Sequence, residues 1–326
     1  MSTGRTLLMV LRWGIFLLAC SFLYVRLFGP KGIVASGGLS SIATGELGWT
    51  VLVPVIGLMF LNWGIEAVKW RLLLRRVERL TVVRSFIAVI MGTSIGLITV
   101  NRTGEFLGRV LLLAPEHRVS GSFASSLGSI AQFVVTLLFG GLGLLVLAMG
   151  EGSLPWPAGW VSTMLATLTA LITFIVLVLY LNPGLFRQLL MLIPLMHRFE
   201  RASVILAQYE RSDLLMVLVL SAARYGVFAF QYIMLLHALG AITPSVEQLA
   251  SIGVIYLIAT LIPSILLTEL GVRGSVALAV LEPLGAGSAP VLLATSLLWL
   301  INVAAPACAG SVLLLFARIR TKREAS

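Results

Sequence analysis

The stretch Val100–Glu105, which reads VNRTGE, interrupts an otherwise apolar run from Phe86 to Ala114. An arginine and a glutamate would be unfavourable here on a helix that faces lipid, because a charge near the bilayer centre costs about 3 kcal/mol on insertion scales. Each apolar arm is also shorter than the roughly 20 residues that a helix needs to cross the hydrocarbon. The stretch therefore predicts a re-entrant helical hairpin with both ends on one side of the membrane.

A second apolar run, from Leu249 to Leu284, is interrupted in the same way by Pro263–Glu269 (PSILLTE). Each interruption ends in a glutamate that is followed four residues later by an arginine. The two pairs are Glu105 with Arg109 and Glu269 with Arg273. The second pair lies 164 residues after the first, and half of the 326-residue chain is 163. This agreement predicts two inverted-topology repeats, with the second hairpin entering the membrane from the opposite side.

The composition predicts a membrane protein over the whole length of the chain. Hydrophobic residues make up 59% of the sequence and charged residues only 11%, and a water-soluble domain cannot bury so much apolar surface. The formal net charge of +10 does not indicate a nucleic-acid partner, because lysines and arginines collect in short segments between apolar runs. We therefore predict one all-α polytopic membrane domain, residues 1–326, with repeats at about 1–157 and 158–326.

Six apolar runs are long enough to cross the bilayer as full transmembrane helices. They are about Leu7–Phe28, Trp49–Leu72, Ser122–Met149, Trp160–Leu181, Leu214–Leu239 and Val291–Phe316. The second run ends in a dense basic segment, Lys69–Arg84, and the positive-inside rule places this segment in the cytoplasm. Both termini are then predicted to be cytoplasmic, in the inner (cytoplasmic) membrane. The stretch Pro183–Ser212 carries four arginines and predicts an amphipathic helix on the cytoplasmic surface.

The two glutamate–arginine pairs are the strongest candidates for a binding site. A spacing of four residues places both members of a pair on one helix face, and each pair opens a half-helix whose first N–H groups lack partners. We expect Glu105 and Glu269 to satisfy those helix ends, which leaves Arg109 and Arg273 free to bind a phosphate or carboxylate bidentately. In the alternative interpretation, both pairs are internal ion pairs that hold the hairpins in the bundle.

Arg224, in the fifth apolar run, is the best further candidate for lining a cavity, ahead of Asn62 and Glu66 in the second. The predicted substrate-binding set is Asn101, Arg102, Thr103, Glu105, Arg109, Arg224, Thr268, Glu269 and Arg273. Gln132, Gln231 and Asn302 are expected to form interhelical hydrogen bonds. The two cysteines and three histidines match no zinc or catalytic-triad spacing, so the sequence predicts no metal, no cofactor and no catalytic residue.

Three motifs at these positions carry a resemblance to a known family. They are Glu66–Arg71 (EAVKWR), Asn101–Arg109 (NRTGEFLGR), and Pro263 together with Glu269–Arg273 (ELGVR). With these motifs the chain resembles the lysylphosphatidylglycerol synthase transmembrane region family, also called the flippase-like domain family, over nearly its whole length. The resemblance implies transport of an amphiphile, either an anionic or aminoacylated phospholipid or a polyprenyl phosphate.

Three functions remain open at this point. The first is translocation of a phospholipid or lipid-linked carrier headgroup across the cytoplasmic membrane. The second is ion- or proton-coupled transport of a small anion, which would use the same hairpins with a glutamate as the proton carrier. The third is a membrane enzyme that acts on lipid headgroups. A cavity open sideways to lipid would favour the first function, and a closed aqueous vestibule would favour the second.

Overall fold

The computed structural model describes residues 13, 14, 17, 21, 24, 48–97, 99, 102–149, 159–243, 245–264 and 266–317. Every regular element in this part of the chain is helical. The main helices are α1 (Trp49–Leu74), α2 (Val82–Leu97), α3 (Gly104–Val110), α4 (Arg118–Met149), α5 (Gly159–Leu181), α6 (Pro183–Met191), α7 (Glu200–Ser203), α8 (Arg211–Ala238), α9 (Val246–Leu261), α10 (Leu266–Leu281), α11 (Ser288–Trp299) and α12 (Ala305–Phe316).

Five helical segments in the described part are long and apolar enough to cross a membrane. They are Trp49–Leu74, Pro115–Met149, Thr163–Leu181, Arg211–Ala238 and Ser288–Phe316. These segments match five of the six predicted spans, which confirms an all-α polytopic membrane protein. The remaining predicted span, about Leu7–Phe28, lies outside the described residues except at five single positions.

Both predicted interruptions are real breaks between helices. Helix α2 ends at Leu97 and α3 begins at Gly104, while α9 ends at Leu261 and α10 begins at Leu266. Helices α2 and α9 each contain 16 residues, so each is shorter than a typical span of about 20 residues. At the second break Ile262 has φ −84° and ψ 114°, because the following Pro263 disfavours helical backbone at the residue before it.

The two arms of the first interruption fold back on each other at a pair of glycines. A Cβ atom added to Gly108 on α3 would lie 2.5 Å from the Cα atom of Gly92 on α2. Any side chain at this position would therefore push the two helices apart. Gly92 and Gly108 are therefore close-packing sites, as small residues commonly are between membrane helices.

Each short helix also packs against a span from the other half of the chain. Helix α2 lies against α12, and helix α9 lies against α4. Both contacts are made by glycine: a Cβ atom on Gly310 would overlap the carbonyl oxygen of Ile90, and one on Gly143 would overlap that of Ala250. Helices α1 and α8 are separated in sequence by about half the chain length, and they pack directly together.

Lys69 is not part of a cytoplasmic basic segment, so that assignment is wrong. It lies inside α1, and only 1% of its surface is exposed. The ammonium nitrogen lies 2.7 Å from the Glu66 carboxylate, one helical turn earlier. A lysine can be buried in this way because the pairing offsets part of the desolvation cost of both charges. The basic segment after α1 therefore consists of arginines alone.

The stretch Pro183–Ser212 does not form one amphipathic helix, which corrects the sequence interpretation. It contains α6, the 3₁₀ segments Pro194–Phe199 and Val204–Gln208, and α7, and Ser212 already belongs to α8. Pro194 lacks an N–H donor, and the preceding Ile193 has φ −83° and ψ 115°, so a helix cannot continue through this point.

The last residues of α1 and the first residues of α8 are tied together at one end of the bundle. Arg76 Nη2 lies 2.7 Å from Asp213 Oδ2 and 3.2 Å from Glu210 Oε1. Hydrogen bonds to Asp213 and then Glu210 raise the pKa of Arg76. The Tyr209 hydroxyl also donates to the Leu73 carbonyl, and burial raises the pKa of this phenol. These contacts hold α1 and α8 antiparallel, with Arg76 beside the start of α8.

Candidate functional site

A cavity of about 520 Å³ lies between the two helix breaks. Its walls come from both halves of the chain: α1, α3 and α4 from the first half, and α8, α9, α10 and the segment after α11 from the second. The charged side chains of both breaks face this cavity, as do three charged residues of α1 and α8. The cavity therefore brings together the polar groups of two distant sequence motifs.

The centre of the charged network is Glu66, whose side chain is only 3% exposed. Its Oε1 lies 2.6 Å from Arg109 Nη1. Its Oε2 lies 2.7 Å from Lys69 Nζ and 3.0 Å from Arg224 Nη1. One carboxylate thus binds three cations, which explains how a charged residue is accommodated at this depth. The sequence identified Glu66 only as a secondary candidate.

Arg109 is held between two carboxylates. In addition to Glu66, it contacts Glu105 Oε2 at 2.9 Å, and its side chain is only 5% exposed. The predicted pairing of Glu105 with Arg109 is therefore present. The expectation that the Arg109 guanidinium is free to bind a ligand is wrong, because the partner Glu66 comes from another helix. The alternative interpretation, an internal ion pair, describes this arginine.

The start of α3 is capped by a threonine and not by Glu105. The N–H of Gly104 donates to Thr99 Oγ1 at 2.7 Å, so one of the unpaired helix-end donors is satisfied from within the break. The Glu105 carboxylate points instead toward the arginines of its own hairpin, Arg102 and Arg109. This part of the sequence prediction is corrected.

The second pair differs from the first in its exposure. Arg273 Nη2 lies 2.9 Å from Glu269 Oε1, as the spacing predicts, but the arginine side chain is 28% exposed while Glu269 is 8% exposed. Arg273 therefore lines the cavity with a side chain that is only partly buried. The two motifs, similar in sequence, hold one buried arginine and one accessible arginine.

Arg102 joins the two breaks. Its guanidinium lies 3.6 Å from Glu105 in its own break and 3.5 Å from Glu269 in the other. Its φ of 60° makes it the one non-glycine residue with positive φ in the described part. A side chain in this left-handed region is strained by about 1 kcal/mol, and such strain is often found at functional sites.

Arg224 reaches the cavity from α8. It donates to Asn62 Oδ1 at 3.0 Å and to Glu66 Oε2 at 3.0 Å, and it lies 5.1 Å from the centre of the Trp63 ring in a cation–π contact. Asn62 in turn donates to Asn302 at 3.4 Å. Asn302 lies in the π-helical segment Leu300–Ala304, a rare turn that is frequent at functional sites.

The described residues that line the cavity carry more positive than negative charge. Three carboxylates face it: Glu66, Glu105 and Glu269. Five cations face it: Lys69, Arg102, Arg109, Arg224 and Arg273. The lining therefore has an excess of two positive charges. Two uncompensated charges in a region of low dielectric constant favour a bound anion.

The remaining sequence candidates divide into three groups. Thr103 lines the cavity and is exposed, whereas Thr268 is exposed and does not belong to the lining. Asn101 lies outside the described residues. The expected interhelical bonds are present for Gln231, which donates to the Val55 carbonyl at 2.7 Å, and for Asn302. The one charged lining residue that the sequence assigned elsewhere is Lys69.

Comparison with protein families gives a match over most of the chain. A model described as the lysylphosphatidylglycerol synthase TM region matches residues 7–319. Comparison with curated proteins gives no match, and neither does comparison with solved structures. The match extends across the cavity, both helix breaks and all five described spans.

Proposed function

Because the chain belongs to the lysylphosphatidylglycerol synthase transmembrane region family, we propose that it translocates a phospholipid or lipid-linked carrier headgroup across the cytoplasmic membrane. The family is a membrane domain, and its name links it to lipids. The proposed substrates are an anionic or aminoacylated phospholipid, or a polyprenyl phosphate. In this proposal the chain binds and moves the lipid without making or breaking a covalent bond.

The observation that carries the proposal is the charged cavity between the two breaks. A lipid headgroup cannot cross hydrocarbon unaided, because each polar or charged group loses its water. The cavity replaces that water with arginines and carboxylates. Thr103 and Thr260 line it and are exposed. In this proposal the cavity opens to lipid beside these threonines, so that the acyl tails stay in lipid while the headgroup enters.

The proposed path uses two inverted repeats with six full spans and two re-entrant hairpins. The packing between the two halves supports this arrangement. The first helix of each interruption lies on a span of the other half: α2 lies on α12, and α9 lies on α4. The arginine-rich segment after α1 supports cytoplasmic termini. Hairpins that enter from opposite sides would place Arg102 and Arg273 together between the two leaflets, where both contact Glu269. A headgroup bound by these arginines could then leave toward either side of the membrane.

Coupled transport of a small anion is the second candidate, and the three glutamates in the cavity favour it. A carboxylate beside an anion site can carry a proton during transport, as in many pumps and transporters. The two candidates differ in what they move: the first moves a molecule with acyl tails, and the second moves a soluble anion together with a change in internal pH.

A reconstitution experiment tests the proposal. Purified protein in sealed vesicles should move a labelled anionic or aminoacylated phospholipid, or a polyprenyl phosphate, between leaflets without changing its mass. The variant Arg273→Gln should slow this movement, whereas Arg198→Gln should not, because Arg198 is exposed outside the cavity. A folded protein that moves none of these lipids would refute the proposal. A mass change in the lipid would identify an enzyme instead.

A further inference from the structure

We infer that the cavity selects a lipid whose headgroup ends in a doubly charged phosphate, as in a phosphate monoester or diphosphate, and that it rejects an aminoacylated headgroup. This inference rests on the proposed function and narrows its substrate class. It follows from how the eight charged side chains of the cavity are shared among themselves.

The five cations divide into two groups by exposure. Lys69 and Arg109 are buried, with side chains 2% and 5% exposed, and both are bonded to Glu66. The side chains of the other three are 20–28% exposed toward the cavity: Arg102, Arg224 and Arg273. The buried group is structural, and the accessible group forms the surface that a ligand meets.

The three accessible arginines have N–H donors that could bind a ligand. A guanidinium group has five N–H donors. Arg224 uses two nitrogens for Asn62 and Glu66, and Arg273 contacts Glu269 through Nη2. A phosphate with three terminal oxygens can accept from several such forks at once. The arginines come from the first break, α8 and α10, and all three line the same cavity.

Every carboxylate among the described lining residues is already shared by at least two cations. Glu66 contacts three cations, Glu105 contacts Arg102 and Arg109, and Glu269 contacts Arg102 and Arg273. An ammonium group on an aminoacylated headgroup would have to displace an arginine from one of these contacts. It would also add a third positive charge to a lining that already has two in excess.

The charge excess sets the expected order of preference. A headgroup with two negative charges neutralises the lining, and one with a single negative charge leaves one positive charge uncompensated. A zwitterionic headgroup leaves both positive charges uncompensated, and a cationic headgroup increases the excess of positive charge. Like charges placed together suppress the wrong partner strongly, so the dependence on headgroup charge should be steep.

The test measures movement between leaflets for four lipids in the same vesicles. They are phosphatidic acid at a pH at which its second proton is released, phosphatidylglycerol, phosphatidylcholine and lysylphosphatidylglycerol. We expect phosphatidic acid to move at least about tenfold faster than lysylphosphatidylglycerol. Arg224→Gln and Arg273→Gln should each reduce the rate for phosphatidic acid toward that for phosphatidylglycerol, while Arg273→Lys should retain part of the preference because it keeps the charge.

A soluble analogue separates a lipid site from a site for any phosphate. Glycerol 3-phosphate has the headgroup chemistry of phosphatidic acid without its tails. Stronger binding of phosphatidic acid than of glycerol 3-phosphate, with no uptake of the soluble compound, would support the inference. Uptake of glycerol 3-phosphate without lipid movement would overturn both the inference and the proposed function.

The two remaining outcomes distinguish the inference from the function on which it rests. Equal movement of all four lipids, or faster movement of lysylphosphatidylglycerol, would overturn the charge selection and leave translocation standing. No movement of any lipid, with protein that elutes as a single folded species, would overturn translocation itself.

Discussion

The Nε atom of Arg102 lies 3.5 Å from Oε1 of Glu269, although the two residues are 167 positions apart in the chain. This ion pair joins the two helix breaks across the cavity. A movement that separates the breaks must break it, and a movement that closes the cavity must form it again. In the proposed function a bound anion would compete with Glu269 for the same guanidinium, so we expect ligand binding and separation of the breaks to be coupled at this residue.

Replacing Arg102 tests its ion pairs and its backbone strain separately. Arg102→Gly and Arg102→Ala both remove the guanidinium, and both should abolish most lipid movement. Only alanine keeps the penalty of a Cβ atom at φ 60°, so Arg102→Gly should be more stable than Arg102→Ala by about 1 kcal/mol. Thermal unfolding of the two purified variants measures this difference. Equal stability would mean that the backbone is not strained in this way.

Neutralising Glu66 should damage folding more than any other single change in the cavity. Glu66→Gln leaves Lys69, Arg109 and Arg224 near each other without their shared carboxylate, and removal of one partner from a buried pair costs about 3–5 kcal/mol. Adding Lys69→Met should recover part of this loss, because it removes one of the unpaired cations. Stability curves for the wild type, both single variants and the double variant provide the coupling energy. Strict additivity would contradict the contact at 2.7 Å.

Arginine-to-lysine substitutions should separate the structural arginine from the accessible one. Arg109 bridges two carboxylates with two different nitrogens, a geometry that lysine cannot reproduce. Arg109→Lys should therefore lower the unfolding temperature. Arg273→Lys should leave the unfolding temperature nearly unchanged and slow lipid movement, because Arg273 has one carboxylate contact and a side chain that is only partly buried. The assignment of roles would be reversed if Arg109→Lys reduced movement at unchanged stability.

The topology is tested with cysteine reporters in a background without Cys20 and Cys308. Reporters at Gly152 and Ala289 should react with an impermeant reagent added outside the cell, whereas those at Thr81 and Gln208 should react only in inverted vesicles. Ala289 is preferred to the neighbouring Gly285, which has φ 85° and would be strained by a side chain. The two inner positions are exposed, so protection from the outside reagent would reflect the membrane. Outside labelling at Thr81 would contradict the inverted repeat.

The breaks and most of the spans could be predicted from the sequence because their signals are local. A charge or proline inside an apolar run is unfavourable wherever the chain goes, so VNRTGE at 100–105 and Pro263 indicate breaks without any knowledge of packing. The pairing within each motif follows from helix geometry alone. Those features require only the residues that are neighbours in the chain.

The ion-pair partners of each charged side chain could not be predicted in the same way, because they lie far away in the sequence. Glu66 meets Arg109 and Arg224, which lie 43 and 158 residues further along the chain. This carboxylate holds Arg109, an expected ligand-binding group, in a buried ion pair and keeps Lys69 buried inside the helix bundle. The spacing of Glu66 and Lys69, one helical turn apart, is a signal for an ion pair within the helix. The arginines after Lys69 instead favoured the interpretation that Lys69 belongs to the basic segment outside the membrane.

Helices α2 and α9 each pack against a helix from the other half of the chain, so this packing cannot be completed before the second half is synthesised. Helix α2 leaves the ribosome long before α12, against which it packs through Gly310, and α4 likewise precedes α9. The surfaces around Gly143 and Ile90 therefore lack these helix partners until the second half of the chain is inserted. The first half cannot complete its packing alone, so we expect lipid or an insertion factor to cover those surfaces during biogenesis.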